Sequence, residues 1–294
     1  MMIRRHPLLA FFVLAYAISW IIWAPLWLPR LGVHGLPVLP FHHALGALGP
    51  ISAAFIVSTV ESGRAGAVDL MRRMGFWRNR IGWIVFALCG PLVMLAFSQI
   101  GEQWYAAHPV DLIAFARSRE FPQFSGIGFL TYNILTFGYG EETGWRGFAL
   151  PRLQARHSAL ASTLILTGGW ALWHVPLFLY RPGYLMMSGP GIVGWLFSLL
   201  TGAVLLTWLF NESRGSVLAV AFFHAAVDVA FTSDRSSPLV VNAAGAVITL
   251  LGIVVLLVAG PKYLSRTGFV VRSREVGRVI DFVARNGAVV PNDS

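Results

Sequence analysis

Residues 239–259 read LVVNAAGAVITLLGIVVLLVA, an apolar run of 21 residues that contains no charged side chain. At a rise of about 1.5 Å per residue, a helix of this length crosses the hydrocarbon core of a bilayer. The rest of the chain has the same character, since 56% of its 294 residues are apolar and only 12% are charged. That share of charge is about half of what a soluble domain carries, too little to cover a soluble surface. The composition therefore excludes a soluble domain, and it also excludes a disordered chain.

Further apolar runs of similar length predict an all-α, polytopic membrane protein with about eight transmembrane helices. The predicted spans are Leu8–Leu28, His43–Val60, Ile81–Ile100, Ile127–Leu153, Ala159–Tyr180, Gly191–Phe210, Ser216–Phe231 and Leu239–Ala259. The first run stays apolar beyond a cleavage-like Ala15-Tyr16-Ala17, so we expect an uncleaved anchor. We expect residues 1–260 to form the transmembrane domain and residues 261–294 to form a basic cytoplasmic tail.

The basic residues predict the orientation of these spans. With the N-terminus inside, 17 of the 22 basic residues fall in inside segments. The five in outside segments are Arg30, Arg117, Arg119, Arg181 and Arg235. This split favours a cytoplasmic location for both termini. Because 21 of the 22 are arginine, which is typical of a GC-rich bacterial genome, we expect a bacterial inner (plasma) membrane. The net charge of +9 is spread over short loops, so nucleic acid is not an expected partner.

Few acids and histidines lie well inside the predicted spans. They are Glu141, Glu142, His174, His224 and Asp228, with Arg146 close by. A buried charge in a bilayer costs at least ~2.5 kcal/mol, so such groups face protein or water and usually serve a function. A further histidine, His43, lies at the edge of a span, which predicts an interfacial position.

The first motif is EETGWR, residues 141–146. On a helix, Glu142 and Arg146 are i and i+4, so the spacing predicts a supporting ion pair. Glu141 is turned away from Glu142 by about 100°, which leaves its carboxylate for another task. The plainer interpretation is that both glutamates lie near an interface beside Arg146.

The second motif is WALWHVP, residues 170–176. Trp170 and His174 are i and i+4, so the indole can pack beside the imidazole. Pro176 removes a backbone donor and loosens the turn next to the histidine, which suits a water-lined cavity. The alternative is a histidine that bonds between two packed helices.

The third motif is FHAAVD, residues 223–228. His224 and Asp228 are again i and i+4. The aspartate can hold one tautomer of the histidine, or both side chains can bind one metal ion. A self-satisfied polar pair is the structural alternative.

Helix lengths predict that the first two motifs share a site. Glu141 and His174 each lie roughly 22–26 Å along a helix from the turn at 156–157, so they can meet. His224 lies only about 13 Å beyond the turn at Gly215. The mismatch of about 10 Å closes if the hairpin of the fourth and fifth spans protrudes into the cytoplasm.

Together the three motifs resemble the signature of the CAAX-protease and bacteriocin-processing (CPBP) intramembrane peptidases, which include the Ras-converting CAAX prenyl endopeptidases. The resemblance places the family core at about residues 127–232. This chain has tryptophan at position 170, where phenylalanine is usual in the family. At position 228 the chain has aspartate, where the CAAX endopeptidases tend to have asparagine.

The resemblance implies an active site in a cavity within the helix bundle. Glu141 and His174 would activate a water molecule, and His224 with Asp228 would stabilise the oxyanion. An ionised Asp228 would repel an oxyanion, so it is either protonated, turned toward His224, or a metal ligand. Glu141, His174, His224 and Asp228 are also a sound set of Zn²⁺ ligands. Zinc and a metal-free mechanism therefore both stay open.

The resemblance implies an intramembrane endopeptidase of a family commonly labelled metalloprotease. Its expected partners are bilayer lipids and a membrane-associated protein or peptide substrate. One alternative is a non-catalytic immunity or scaffold protein that keeps the motifs as contacts between helices. A second is a proton-coupled transporter, because intramembrane acids and histidines also mark ion paths. Against a transporter, the sequence has no evident inverted repeat.

Overall fold

The computed structural model describes residues 2–75, 81–106, 118, 123–124, 126–232 and 238–273. Most of the predicted tail, residues 274–294, lies outside this set. So do several arginines used to predict the orientation, namely Arg78, Arg80, Arg117, Arg119 and Arg235. Throughout the described part of the chain the regular elements are helical, which confirms the all-α prediction.

The eight predicted apolar runs all coincide with helical segments, which we label α1 to α8. They are α1 (Pro7–Trp27), α2 (Gly49–Met74), α3 (Ile81–Ala106), α4 (residues 127–154), α5 (Ala159–Trp173), α6 (Gly189–Glu212), α7 (Val217–Thr232) and α8 (Pro238–Ala259). Within the described ranges, five helices are long and apolar enough to cross a membrane: Pro7–Leu31, His42–Met74, Ala159–Leu179, Gly189–Glu212 and Leu239–Ala259. Ile81–Val93 and Val217–Thr232 are shorter apolar helices. The chain is therefore a multi-pass membrane protein.

Two helices extend beyond their predicted ends. Helix α2 continues from the predicted end at Val60 to Met74, after a kink at Gly63 with φ 61° and ψ −150°. Residues with a Cβ rarely adopt this backbone conformation, so the glycine at position 63 permits the kink. Helix α3 continues to Ala106, beyond its predicted end at Ile100. Both extensions are more polar than the spans, which is why hydropathy alone did not include them.

Helix α5 ends near its proline, as the motif predicted. The α-helix stops at Trp173, and residues Val175–Leu179 form a 3-10 turn that contains Pro176. Two hydrogen bonds join this end of α5 to α1, one donated from each helix. Trp20 Nε1 donates to the Trp173 carbonyl at 3.0 Å, and Trp173 Nε1 donates to Ser19 Oγ at 2.8 Å. The helix end that carries His174 is thus fixed against α1.

Candidate active site

Helix α4, which carries the first motif, is not a regular α-helix. Its α-helical start, Ile127–Asn133, is followed by a π-helical segment, Ile134–Gly138. One α turn, Tyr139–Glu142, then precedes a second π-helical segment, Thr143–Ala149. Segments of π-helix change the direction in which side chains point, and they occur frequently at functional sites. Both glutamates of the motif lie in the turn between the two π segments.

Glycines let α4 approach its neighbours closely. A Cβ on Gly138 would lie 2.5 Å from the carbonyl oxygen of Ala221 in α7. A Cβ on Gly144 would lie 2.6 Å from the Pro50 side chain in α2. Neither position has room for a methyl group. Ala221 is one helical turn before His224, so this close approach brings the first and third motifs together.

Glu142 joins α4 to α7. Its Oε1 accepts a hydrogen bond from Arg146 Nη1 at 2.8 Å and from His224 Nδ1 at 2.7 Å. The side chains of Glu142 and Arg146 are fully buried. Because Oε1 also accepts from a guanidinium, the carboxylate is the acceptor, and Nδ1 of His224 is the donor. The spacing in the sequence predicted the contact with Arg146, but nothing in it indicated the contact with His224.

The predicted partnership of His224 with Asp228 is weaker than its spacing suggested. Nε2 of His224 lies 3.7 Å from Oδ2 of Asp228, which is longer than a hydrogen bond. The Asp228 side chain is 28% exposed, whereas that of His224 is 9% exposed. His224 therefore has Glu142 on one nitrogen and Asp228 near the other.

Glu141 is held by the indole of Trp170. Trp170 Nε1 donates to Oε2 of Glu141 at 2.8 Å, and Glu141 is 4% exposed. The Trp170 ring also lies 5.6 Å, centroid to centroid, from the rings of His174 and His224. The guanidinium of Arg146 lies 4.9 Å from the Trp170 ring centroid. Trp170 thus touches members of all three motifs, whereas the sequence predicted only its packing beside His174.

The orientation of His174 is set by its own helix. Its Nδ1 lies 2.7 Å from the carbonyl oxygen of Trp170. A carbonyl only accepts, so Nδ1 carries the proton, and in the neutral ring Nε2 has the free lone pair. Tyr184 stacks on the imidazole with 6.1 Å between centroids, and Trp195 packs edge-on at 5.7 Å.

All four predicted catalytic residues line one cavity of about 1200 Å³. The structure therefore brings together Glu141, His174, His224 and Asp228, including the third motif, which helix lengths alone left about 10 Å away.

His43 also lines this cavity, although the sequence indicated only an interfacial position. Its Nδ1 lies 2.7 Å from the hydroxyl of Tyr180, and its ring stacks on Trp23 at 5.5 Å. The alternation of span directions was the signal that could have found it, because the start of the second span and the end of the fifth lie at the same face.

Glu141, His174, His224 and Asp228 carry the carboxylate and imidazole donors that zinc binds in proteins. Among the residues that the structure describes, no group of three or more His, Cys, Asp or Glu side chains is placed to hold a metal ion. Nδ1 of His224 bonds to Glu142, Nδ1 of His174 to a carbonyl, and Oε2 of Glu141 to an indole. These contacts occupy one nitrogen of each histidine and one oxygen of Glu141, and the remaining donor atoms of the four residues are not grouped around one point.

Comparisons with known proteins agree with the motifs. Residues 123–230, a little over a third of the chain, match the family model of the type II CAAX prenyl endopeptidases, Rce1-like. This segment contains all three motifs. A curated protein, "CAAX prenyl protease 2" of Methanococcus maripaludis, is 41% identical to this chain over 44 residues. Those residues are 15% of this chain and 16% of the relative, so the likeness covers a short part of both.

Proposed function

We propose that the chain, which carries an Rce1-like CAAX prenyl endopeptidase domain at residues 123–230, is an intramembrane endopeptidase. It would hydrolyse a peptide bond in a membrane-associated protein or peptide. The observation that carries this proposal is that Glu141 and His174 line one cavity and that both are oriented by Trp170. The Trp170 indole donates to Glu141, and the Trp170 carbonyl accepts from His174. The family model matches the same segment, which supports the proposal independently.

Glu141 and His174 are proposed to activate the attacking water. Trp170 Nε1 occupies Oε2 of Glu141, which leaves Oε1 for the water proton. His174 donates from Nδ1 to a carbonyl, so Nε2 is the nitrogen that can accept from the same water. The water oxygen attacks the scissile carbonyl carbon while Glu141 takes its proton. Glu141 then passes that proton to the leaving amine as the C–N bond breaks.

His224 is proposed to stabilise the oxyanion. Glu142 fixes the ring through Nδ1, and His224 is proposed to be an imidazolium, whose second N–H, at Nε2, points away from Glu142. A donor held in place before the reaction stabilises developing charge without reorganisation. Asp228 lies beside Nε2 and is proposed to be protonated during this step, because an ionised carboxylate would repel the oxyanion.

The membrane arrangement that accompanies this function has eight spans and both termini in the cytoplasm of a bacterial cell. The coincidence of all eight apolar runs with helical segments supports the number, and the 17-to-5 split of basic residues supports the orientation. Residues 1–260 would form the membrane domain, with the family core at about 127–232, and residues 261–294 the cytoplasmic tail. A periplasm-active reporter fused after Ser294 should be silent, and an active reporter would require an odd number of spans.

A scaffold protein would use the same buried contacts, since Glu142, Arg146 and His224 also connect α4 to α7. To distinguish a peptidase from a scaffold, the purified full chain is reconstituted with a library of membrane-anchored peptides. Mass spectrometry then detects any cleavage products. We expect cleavage by the parent and by His157→Gln, whose histidine is exposed and outside the active-site cavity. We expect none by His174→Gln. Cleavage by His174→Gln would remove this residue from the mechanism, and no cleavage by the parent would favour the scaffold.

A further inference from the structure

A second cavity, of about 1340 Å³, lies at the other end of α4. Its lining comes from the start of α1, the end of α2, the end of α4, the turn after α4 and the residues near 272. On α4, Glu141 lines the first cavity, whereas Gly147, Phe148 and Arg152 line the second. We call the second one the arginine cavity.

The lining of the arginine cavity is strongly basic. It includes the arginines Arg5, Arg72, Arg73, Arg152, Arg156 and Arg272. It includes two carboxylates, Glu61 and Asp69. Both carboxylates are already in ion pairs, Glu61 with Arg152 at 2.5 Å and Asp69 with Arg73. Six arginines and two carboxylates line the cavity, so basic side chains predominate in its lining.

Two of these arginines are held rigidly at the protein side of the cavity. Arg73 is 5% exposed, and its Nη1 donates to the carbonyl of Gly147 at 2.7 Å. Arg152 lies over the ring of Phe148 at 3.6 Å and donates to the Phe148 carbonyl at 3.0 Å. These contacts fix two guanidinium groups in the wall of a basic cavity, and such an arrangement favours the binding of an anion.

The position of the arginine cavity indicates which anion this is. Arg5, Arg152 and Arg156 belong to segments that the distribution of basic residues places on the cytoplasmic side. Phosphate groups of anionic lipids lie at that surface and attract arginine and lysine. The planar guanidinium, with its fork of N–H donors, suits the oxygens of a phosphate group.

We propose that the arginine cavity binds a phosphate group, supplied by the headgroup of an anionic phospholipid of the inner leaflet. Arg73 and Arg152 form the buried side of the site, and the exposed Arg5 and Arg156 close over the phosphate from the membrane surface. This site is separate from the proposed peptidase site and does not depend on that activity. A free phosphate offers the same chemistry, so the test includes it.

The test uses the full chain in neutral detergent, with short-chain phosphatidylglycerol, short-chain phosphatidylcholine and sodium phosphate as separate probes. We expect phosphatidylglycerol to bind at least tenfold more tightly than phosphatidylcholine. Arg5→Gln/Arg156→Gln should weaken phosphatidylglycerol binding by about fivefold for each arginine, and so by about 25-fold. The matched control, Arg64→Gln/Arg266→Gln, removes two exposed arginines that do not line the cavity and should leave the affinity unchanged.

The outcomes separate the site from general surface charge. Competition by sodium phosphate supports a phosphate site, and sodium phosphate that binds as tightly as the lipid makes the free anion the source. Equal affinity for both lipids, with no binding of phosphate, would overturn the proposal. An equal loss of affinity in both double variants would also overturn it, because the effect would then come from net charge alone.

Discussion

Glu142 in α4 accepts a hydrogen bond at 2.7 Å from Nδ1 of His224 in α7, a residue 82 positions later in the sequence. The same carboxylate oxygen accepts from Arg146 at 2.8 Å. Glu142 therefore neutralises a buried arginine and orients a cavity-lining histidine at once. Of the adjacent glutamates, Glu141 faces the indole of Trp170, and Glu142 holds the helices that frame the cavity together.

Glu142→Gln should therefore affect both stability and activity. The change removes a charge that balances Arg146, and breaking a buried pair in this way costs about 3–5 kcal/mol. It also replaces the charged acceptor of the His224 N–H by a neutral, weaker one. Thermal or denaturant unfolding of the purified protein measures the first effect. Glu61→Gln is the control, because its ion pair with Arg152 is partly exposed and should contribute no more than about 1 kcal/mol. Equal stability of the two variants would contradict the role given to Glu142.

Gly138→Ala should separate α4 from α7. The new methyl group would lie 2.5 Å from the Ala221 carbonyl, so the helices must move apart at a cost of about 1–3 kcal/mol. The contact between Glu142 and His224 should lengthen, and peptidase activity should fall. Gly168→Ala is the matched control in α5, where a Cβ meets nothing within 4 Å. That control should be neutral or stabilise by about 0.5–1 kcal/mol. A neutral Gly138→Ala would show that the close approach is not needed.

Trp170→Phe should keep the fold and weaken the site. Phenylalanine retains an aromatic ring beside His174 and His224 but removes the N–H that donates to Glu141. A hydrogen bond to a charged group contributes about 1.5–3 kcal/mol, so we expect a loss of activity of about tenfold or more. The measurement is kcat/KM beside the unfolding midpoint of the same sample. An unchanged kcat/KM would mean that the indole does not position Glu141.

Asp228→Asn tests the oxyanion proposal against a metal. Asparagine donates a hydrogen bond without needing a proton, so the variant should keep its activity, and extend it to higher pH, if this position faces the oxyanion. If Asp228 were a zinc ligand, the change would lower both the bound zinc and the activity, because asparagine is a poor zinc ligand. Activity against pH and metal content by mass spectrometry distinguish these results. A variant that is inactive and depleted of zinc would contradict the oxyanion proposal.

The sequence predicted much of the fold because membrane spans are local features. Runs such as residues 239–259 are apolar over their whole length, and each predicted run became helical. The family resemblance rested on motifs within residues 141–228, and the family model that matches residues 123–230 confirms it. Hydropathy did not predict helix ends that lie beyond the apolar region, such as the extension of α2 to Met74.

The sequence did not predict how the motifs connect, because these connections cross between helices. The i and i+4 spacing predicted the ion pair of Glu142 with Arg146, but it could not predict the hydrogen bond of Glu142 with His224. The two π-helical segments of α4 also shift side chains away from the 100° steps of a regular helix. His43 lines the cavity and contacts Tyr180, a residue 137 positions later in the chain, and no local pattern indicates such a contact.

The most direct measurement of the central claim is peptide hydrolysis by purified Glu141→Gln, recorded with its unfolding midpoint. Glutamine keeps the size of the side chain and can still accept from Trp170, but it cannot take a proton from water. Loss of general base catalysis should lower kcat by about 10²-fold or more while the unfolding midpoint stays near that of the parent. Glu212→Gln, outside the active-site cavity, should keep full activity. A folded Glu141→Gln protein that hydrolyses peptide at the parent rate would contradict the assignment of Glu141 as the base.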